Sequence, residues 1–192
     1  RRPDRPRWRR PTPAAIDITP ADWIALGRRP HDVALENPGL AGIVVTHGTA
    51  SLEETAYFLN LSLCLDIPVV LVWSQRPFSA ISSDAQLNLI NAVRVAADPA
   101  SRGLGVLNDE IQAAREVTKT DTYRLQSFQS PGLGALGYAD ADRVSSCRSP
   151  TRGHTTATPF VAAGFAPGCG APGERAALAR AVESGVVVVQ AA

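Results

Sequence analysis

Thr46, His47, Gly48 and Thr49 offer the sharpest chemistry in the chain, and they close the apolar run that begins at Gly42. In open α/β sheets, ligands collect at the carboxyl ends of strands, which is where this run would place them. A hydroxyl on such a glycine-containing turn could act as a nucleophile, given a base or cation to activate it. The same residues also suit a strand-end turn with capping hydroxyls, and chemistry alone leaves both readings open. Lys119, between Thr118 and Thr120, is the second candidate. After an amphipathic segment it could supply a buried activating ammonium, although a surface position is the commoner role for lysine.

Other constellations carry less. Gly132, Gly134 and Gly137 match the pattern G-x-G-x-x-G. Dinucleotide binding needs a strand before that pattern and a helix after it, and neither flank fits. His31, His47 and His154 show no metal-ligand spacing. Asp140 and Asp142 read as a polar turn.

The elements that would position these groups follow from periodicity. Thr19-Pro20-Ala21-Asp22 opens a short helix with a threonine N-cap and proline at the first helical position. Pro30 and Asn37-Pro38-Gly39 are expected to break it. Gly42 to Thr46 reads as a strand buried on both faces. Ser51 and Glu54 have capping-box spacing, and Leu52, Ala56, Leu59 and Leu63 fall on one helical face. A second apolar run, Val69 to Trp73, leads through Arg76-Pro77 to Ser82-Ser83-Asp84. That triplet could cap a helix carrying Leu87, Ile90, Val93 and Ala97, closed by Asp98-Pro99. Strand–helix–strand–helix implies a parallel sheet with helices on its faces. Near the end, Pro172 to Ala181 reads as a helix, Gly185 as its C′ residue and Val186 to Val189 as one more strand. Ser145 to Gly170 reads as irregular.

Composition sets the bounds. The 192 residues are 45% hydrophobic and 19% charged, as in a globular protein of one domain or one domain plus part of another. No run of about 18 apolar residues occurs, so no membrane span is expected. The chain lacks methionine and begins at Arg1, which leads to the expectation that its true start is missing or altered. The first ten residues carry +5, leaving −4 on the rest. No folded reader module follows this Pro/Arg-rich arm, so it is read as a solvated tail and no nucleic-acid partner is expected. Cys64, Cys147 and Cys169 suggest neither a zinc site nor a disulfide framework. Cys64 is read as a small buried hydrophobe on a helix, and a reducing cytoplasm as the location.

The segments GIVVTHGT at 42–49 and LEETAYFL at 52–59 resemble the second signature of bacterial-type L-asparaginases. RP at 76–77, AIS at 80–82, LNL at 87–89, NAV at 91–93, AADPASRG at 96–103, NDEI at 108–111, AAREVTKT at 113–120 and FQSP at 128–131 resemble the same family. The likeness is collinear from about Thr19 to Phe160 and resumes near Gly164. It implies an α/β fold: three layers, α/β/α, with a mostly parallel sheet, followed by a truncated second α/β domain. Residues 1–18 would be a disordered tail, 19–150 the N-terminal-like domain, and 151–192 a linker and remnant of the smaller domain. The implied reaction is hydrolysis of L-asparagine to L-aspartate and ammonia through a threonine nucleophile, with no metal or cofactor. Catalytic roles carry over to Thr49 and Lys119, and substrate binding to Gly48, Thr49 and Ala50. Family members form dimers or tetramers, so a homo-oligomer is expected.

The departures from the family pattern are specific. Its N-terminal Thr-Gly-Gly-Thr-Ile motif, with the first threonine, has no counterpart before Thr19. Ala50 replaces an aspartate that would hold the substrate's α-amino group and neutralise the lysine. Ala14 and Ala15 stand near a substrate-gripping serine and its polar neighbour, Trp73 replaces a glycine, and the strand before Asn108 is short. Much of the smaller domain is missing between Phe160 and Gly164, and its last helix is absent. Impaired activity is therefore expected. The alternative is a non-catalytic remnant or pseudoenzyme that docks on homologous subunits.

Overall fold

The computed structural model of the chain describes residues 15–98, 101 and 104–162. The Arg1–Pro13 tail, Ala14, Cys169 and the expected elements from Pro172 to Val189 lie outside them. Strands β1 (Ile43–Thr46), β2 (Val69–Val72) and β3 (Leu104–Leu107) run parallel, with Val45 opposite Leu71 and Val72 opposite Val106. Their crossovers are α2 (Leu52–Ser62) and α3 (Ala85–Ala97), preceded by α1 (Pro20–Glu36). β2 is buried throughout, and its alternation divides the core. Val69 and Leu71 face Leu52, Ala56 and Leu59 of α2 and its C-cap residue Leu63, with Leu26 of α1 behind them. Val70 and Val72 face Ala92, Val95 and Ala96 of α3. This is the three-layer α/β arrangement read from the sequence.

The sheet changes direction at Asn108 and Asp109, whose φ angles are 52° and 67°. Two successive left-handed residues make the tight hairpin turn that suits strand twist. β4 (Glu110–Ala113) therefore returns antiparallel to β3. β7 (Gly137–Ala139) and β8 (Val144–Ser146) continue that half, giving the order β1-β2-β3-β4-β7-β8. The sheet is thus mixed, parallel from β1 to β3 and antiparallel beyond. A separate two-stranded ribbon pairs β5 (Thr118–Lys119) with β6 (Phe128–Gln129). Gly132 and Gly134 lie on the turn before β7, and Gly137 is the first residue of that strand. Gly134 has φ 74°, and a Cβ on Gly137 would meet the Ser145 carbonyl oxygen at 2.1 Å. Backbone geometry accounts for these glycines, and a strand, not a helix, follows them.

Several local expectations are corrected. α1 begins at the Thr19–Asp22 capping box but continues through Pro30 to Glu36. An interior proline costs about 3 kcal/mol, and tertiary contacts oppose that cost. Trp23 stacks on Phe58 and donates its indole N–H to Thr55, while His31 bonds the Gly27 carbonyl and accepts the Cys64 N–H. At α2, Ser51 is the N-cap residue but its side chain makes no cap bond. Strand β1 is half-buried because it sits at the end of the described sheet, with β2 on one side only. Cys64 falls just beyond α2 and is disulfide-bonded, so it is not a reduced helical hydrophobe.

The largest correction concerns α3. Leu87, Ile90, Val93 and Ala97, the helical stripe read from the sequence, point outward, and Asn88 and Asn91 face the core. Both asparagines are satisfied there. Asn88 donates to the Trp73 carbonyl and to Asp84, and its oxygen accepts the Asn108 N–H. Asn91 donates to Asp109. Buried amides survive only with such partners, and these tie α3 to the end of β2 and the β3–β4 turn.

Candidate active site

The carboxyl ends of β1 and β2 lie side by side, and the His47 N–H donates to the Val72 carbonyl at 2.9 Å. This delivers Gly48, Thr49 and Ala50 to the top of the sheet, immediately before α2. The His47 ring holds the turn from inside. Its Nδ1 lies 2.7 Å from the Gly48 carbonyl oxygen and its Nε2 lies 3.0 Å from the Thr55 hydroxyl. A carbonyl only accepts, so Nδ1 carries the proton, and Nε2 of the neutral ring and the Ser51 carbonyl share the single Thr55 hydroxyl proton. Burial, the largest influence, pulls the His47 pKa below the ordinary imidazole value. The Gly48 carbonyl and the nearby Glu54 carboxylate pull the other way. Thr55, fully buried, also accepts from Trp23 and lies 2.8 Å from the Ser51 carbonyl.

Lys119 reaches the same turn from β5. Its Nζ donates to Thr49 Oγ1 at 3.3 Å and stands 5.6 Å from the centre of the Phe128 ring. Phe128, paired with Lys119 across the β5–β6 ribbon, meets Trp73 edge-on at 5.0 Å. Trp73 is buried in the α2-side core beneath this group, with its indole N–H lacking a hydrogen-bond acceptor. The Lys119 backbone N–H donates to Glu53 Oε2 at 2.7 Å, which fastens the lysine's strand to the first turn of α2.

Two carboxylates missed by sequence reasoning organise this end of the sheet. Glu53 is the first. The second is Asp84, expected as a cap of α3. It holds the N-cap position without a side-chain cap bond, and its oxygens instead accept the backbone N–H groups of Gln75 and Arg76. Gln75 in turn donates to the Thr122 carbonyl and accepts from Ser127, joining the loop after β2 to the ribbon that carries Lys119. No local signal marks either role, because the partners are distant in sequence.

Thr49 and Lys119 are brought together, with Gly48 and Ala50 on the same turn. The Ala50 methyl supplies no charge, and Lys119 has no carboxylate ion-pair partner among the described residues. A hydroxyl beside a lysine nitrogen is an arrangement suited to acyl transfer. Ala15 forms part of a short 3-10 turn ahead of α1. Asp140 and Asp142 are exposed at the β7–β8 connection.

Residues 12–152 match the family described as "Asparaginase, N-terminal". The chain is 52% identical over 122 residues to "Probable L-asparaginase periplasmic" of Haemophilus influenzae, covering 62% of this chain and 35% of that protein. It is 42% identical over 147 residues to "L-asparaginase 2" of Escherichia coli, covering 75% and 41%. Among solved structures it is similar to the "Probable Cytoplasmic L-asparaginase from Campylobacter jejuni". That match has TM-score 0.70 and 38% identity over 74% of this chain and 46% of that one. The chain thus spans less than half the length of these relatives.

Proposed function

The chain belongs to the asparaginase family, and on that premise we propose that it acts as an amidohydrolase on L-asparagine, with Thr49 as nucleophile and Lys119 as its activator. The observation that carries this reading is the 3.3 Å contact between Lys119 Nζ and Thr49 Oγ1. Thr49 Oγ attacks the side-chain amide carbon as its proton passes to Lys119, acting as the neutral amine, and from there to the departing nitrogen, which leaves as ammonia. Water then cleaves the resulting ester, restoring the threonine hydroxyl and releasing L-aspartate. Gly48 and Ala50 line the position of the substrate beside Thr49. No metal or cofactor enters this sequence of steps.

The turnover of this site is low in our reading, because Ala50 offers nothing to a substrate ammonium. An ammonia-release assay on L-asparagine tests the proposal. Turnover that disappears in Thr49→Val supports it. Absence of turnover, even with Ala50→Asp, sinks the enzymatic reading for this chain.

Ala50 itself motivates a second reading, that the chain docks on homologous subunits without catalysing. The outward stripe of α3, with Ile90 and Val93 about half exposed, suits such a contact. Co-purification with an intact family member, lost in Ile90→Glu, would favour this reading; sedimentation of the chain alone tests a homo-oligomer.

A reducing cytoplasm is at odds with the Cys64 disulfide, since such bonds persist in oxidising compartments, while the similar proteins include one named cytoplasmic and one named periplasmic. No described helix is long and apolar enough to cross a membrane. Thiol alkylation in fresh extracts reads the compartment through the redox state of Cys64.

A further inference from the structure

A cleft of about 380 Å³ opens beside the second half of α2, away from Thr49 and Lys119. Tyr57 and Asn60 form one wall, and the segments around Arg115 and Arg152 form the others. Along α2, Asn60 lies seven residues past Glu53, about 10 Å at the helical rise.

The charges there do not cancel. Glu116 is engaged with Arg148. Arg115 is held over the Tyr57 ring at 5.5 Å and gives one N–H to the Gly153 carbonyl, so its guanidinium is fixed while most of its donors stay available. Arg152 is exposed and has no ion-pair partner among the described residues. His154 lines the same cleft and adds positive charge when protonated. One held guanidinium, Arg115, and one exposed guanidinium, Arg152, around a concave surface attract an anion.

A separate observation points to a ligand. Asn60 is only 5% exposed, lines the cleft, and has a side-chain oxygen with no hydrogen-bond partner. Leaving a buried acceptor unmet is unfavourable, and a bound donor would satisfy it.

We propose that this cleft binds a small anion that also carries an N–H donor, its anionic end on Arg115 and Arg152 and its donor on Asn60. The site is independent of the reaction assigned to Thr49.

The test is a titration of the full chain, followed by amide NMR, with O-phosphoethanolamine and with inorganic phosphate. O-Phosphoethanolamine should bind the more tightly, moving the amide signals of Arg115 and Thr151 to His154 and leaving Gly48 to Ala50 in place. Arg152→Ala, on an exposed side chain, should weaken both ligands about tenfold, the order expected for one lost charge-assisted hydrogen bond. Asn60→Leu should remove the advantage of O-phosphoethanolamine over phosphate, and Asn60→Asp should keep it. Three results would overturn the proposal: no saturable shift with either probe, shifts confined to Gly48–Ala50, or affinity unchanged in Arg152→Ala.

Discussion

Lys119 Nζ and Thr49 Oγ1 lie 3.3 Å apart although 70 positions separate the residues in sequence. The contact depends on two supports: the His47 ring, which holds the Gly48–Thr49 turn, and Glu53, which holds the Lys119 backbone. Each support can be removed separately.

Ammonia release should respond to the pair and to the missing charge in opposite directions. Lys119→Met should lower the rate by about 10²-fold or more, the usual scale for removing a proton-transfer group. Ala50→Asp should raise kcat/KM about tenfold or more by restoring a charged contact to the substrate ammonium. A Lys119→Met variant as active as the parent would exclude the lysine from the chemistry.

Glu53→Gln tests the anchoring of β5. A neutral amide oxygen still accepts the Lys119 N–H but more weakly, so about 1 kcal/mol of stability should be lost. Glu53→Ala should lose about twice as much. Urea unfolding measures both, and equal midpoints for the two variants and the parent would show that the bond contributes nothing.

On α3, Asn88→Leu would extend the apolar pattern of the helix yet should destabilise by about 2–4 kcal/mol, because the Trp73 carbonyl and the Asn108 N–H lose their partner. Ile90→Ser, on the exposed stripe, should change stability by no more than about 0.5 kcal/mol. The reverse ranking in thermal or urea unfolding would mean that α3 packs through its other face.

Stability should fall as the solution is acidified through the imidazole range. Burial lowers the folded-state pKa of His47 below the ordinary 6.5. In the window between the two values the unfolded chain therefore binds more protons than the folded one. The contribution of a neutral His47 is complete above 6.5 and is lost as pH drops toward the folded-state value. Melting temperatures between about pH 8 and 5 should show this slope, and His47→Gln should flatten it. An unchanged slope in His47→Gln would assign the pH dependence to other groups.

Where one physical requirement dominated, the fold was legible in the sequence. Leu52, Ala56 and Leu59 share one face of α2 with its C-cap residue Leu63, because burial of a single stripe is enough to stabilise that helix. Val69 to Val72 is apolar throughout because helices cover both faces of β2. The stripe of Leu87, Ile90, Val93 and Ala97 marks α3 as a helix but is not its buried side, because two of its faces are patterned. Periodicity cannot say which one meets the sheet when the inner face includes asparagines whose partners come from β2 and the β3–β4 turn. Pro30 signals a stop for the same reason, since its local cost is visible in sequence and the contacts of Trp23 and His31 are not.

For the site, the chain itself carries the family motif around Thr49 and Lys119, the alanine at position 50 and the glycine-bearing turn after an apolar strand. These are properties of residue type and order. Only the tertiary structure decided that Lys119 reaches Thr49, that Glu53 and Asp84 are engaged by backbone amides far along the chain, and that Asn60 is left with an unmet oxygen beside two arginines. The physical reason is common to all three. A hydrogen bond is set by distance and direction in space, and for these pairs both depend on how β2, α2, α3 and the β5–β6 ribbon pack.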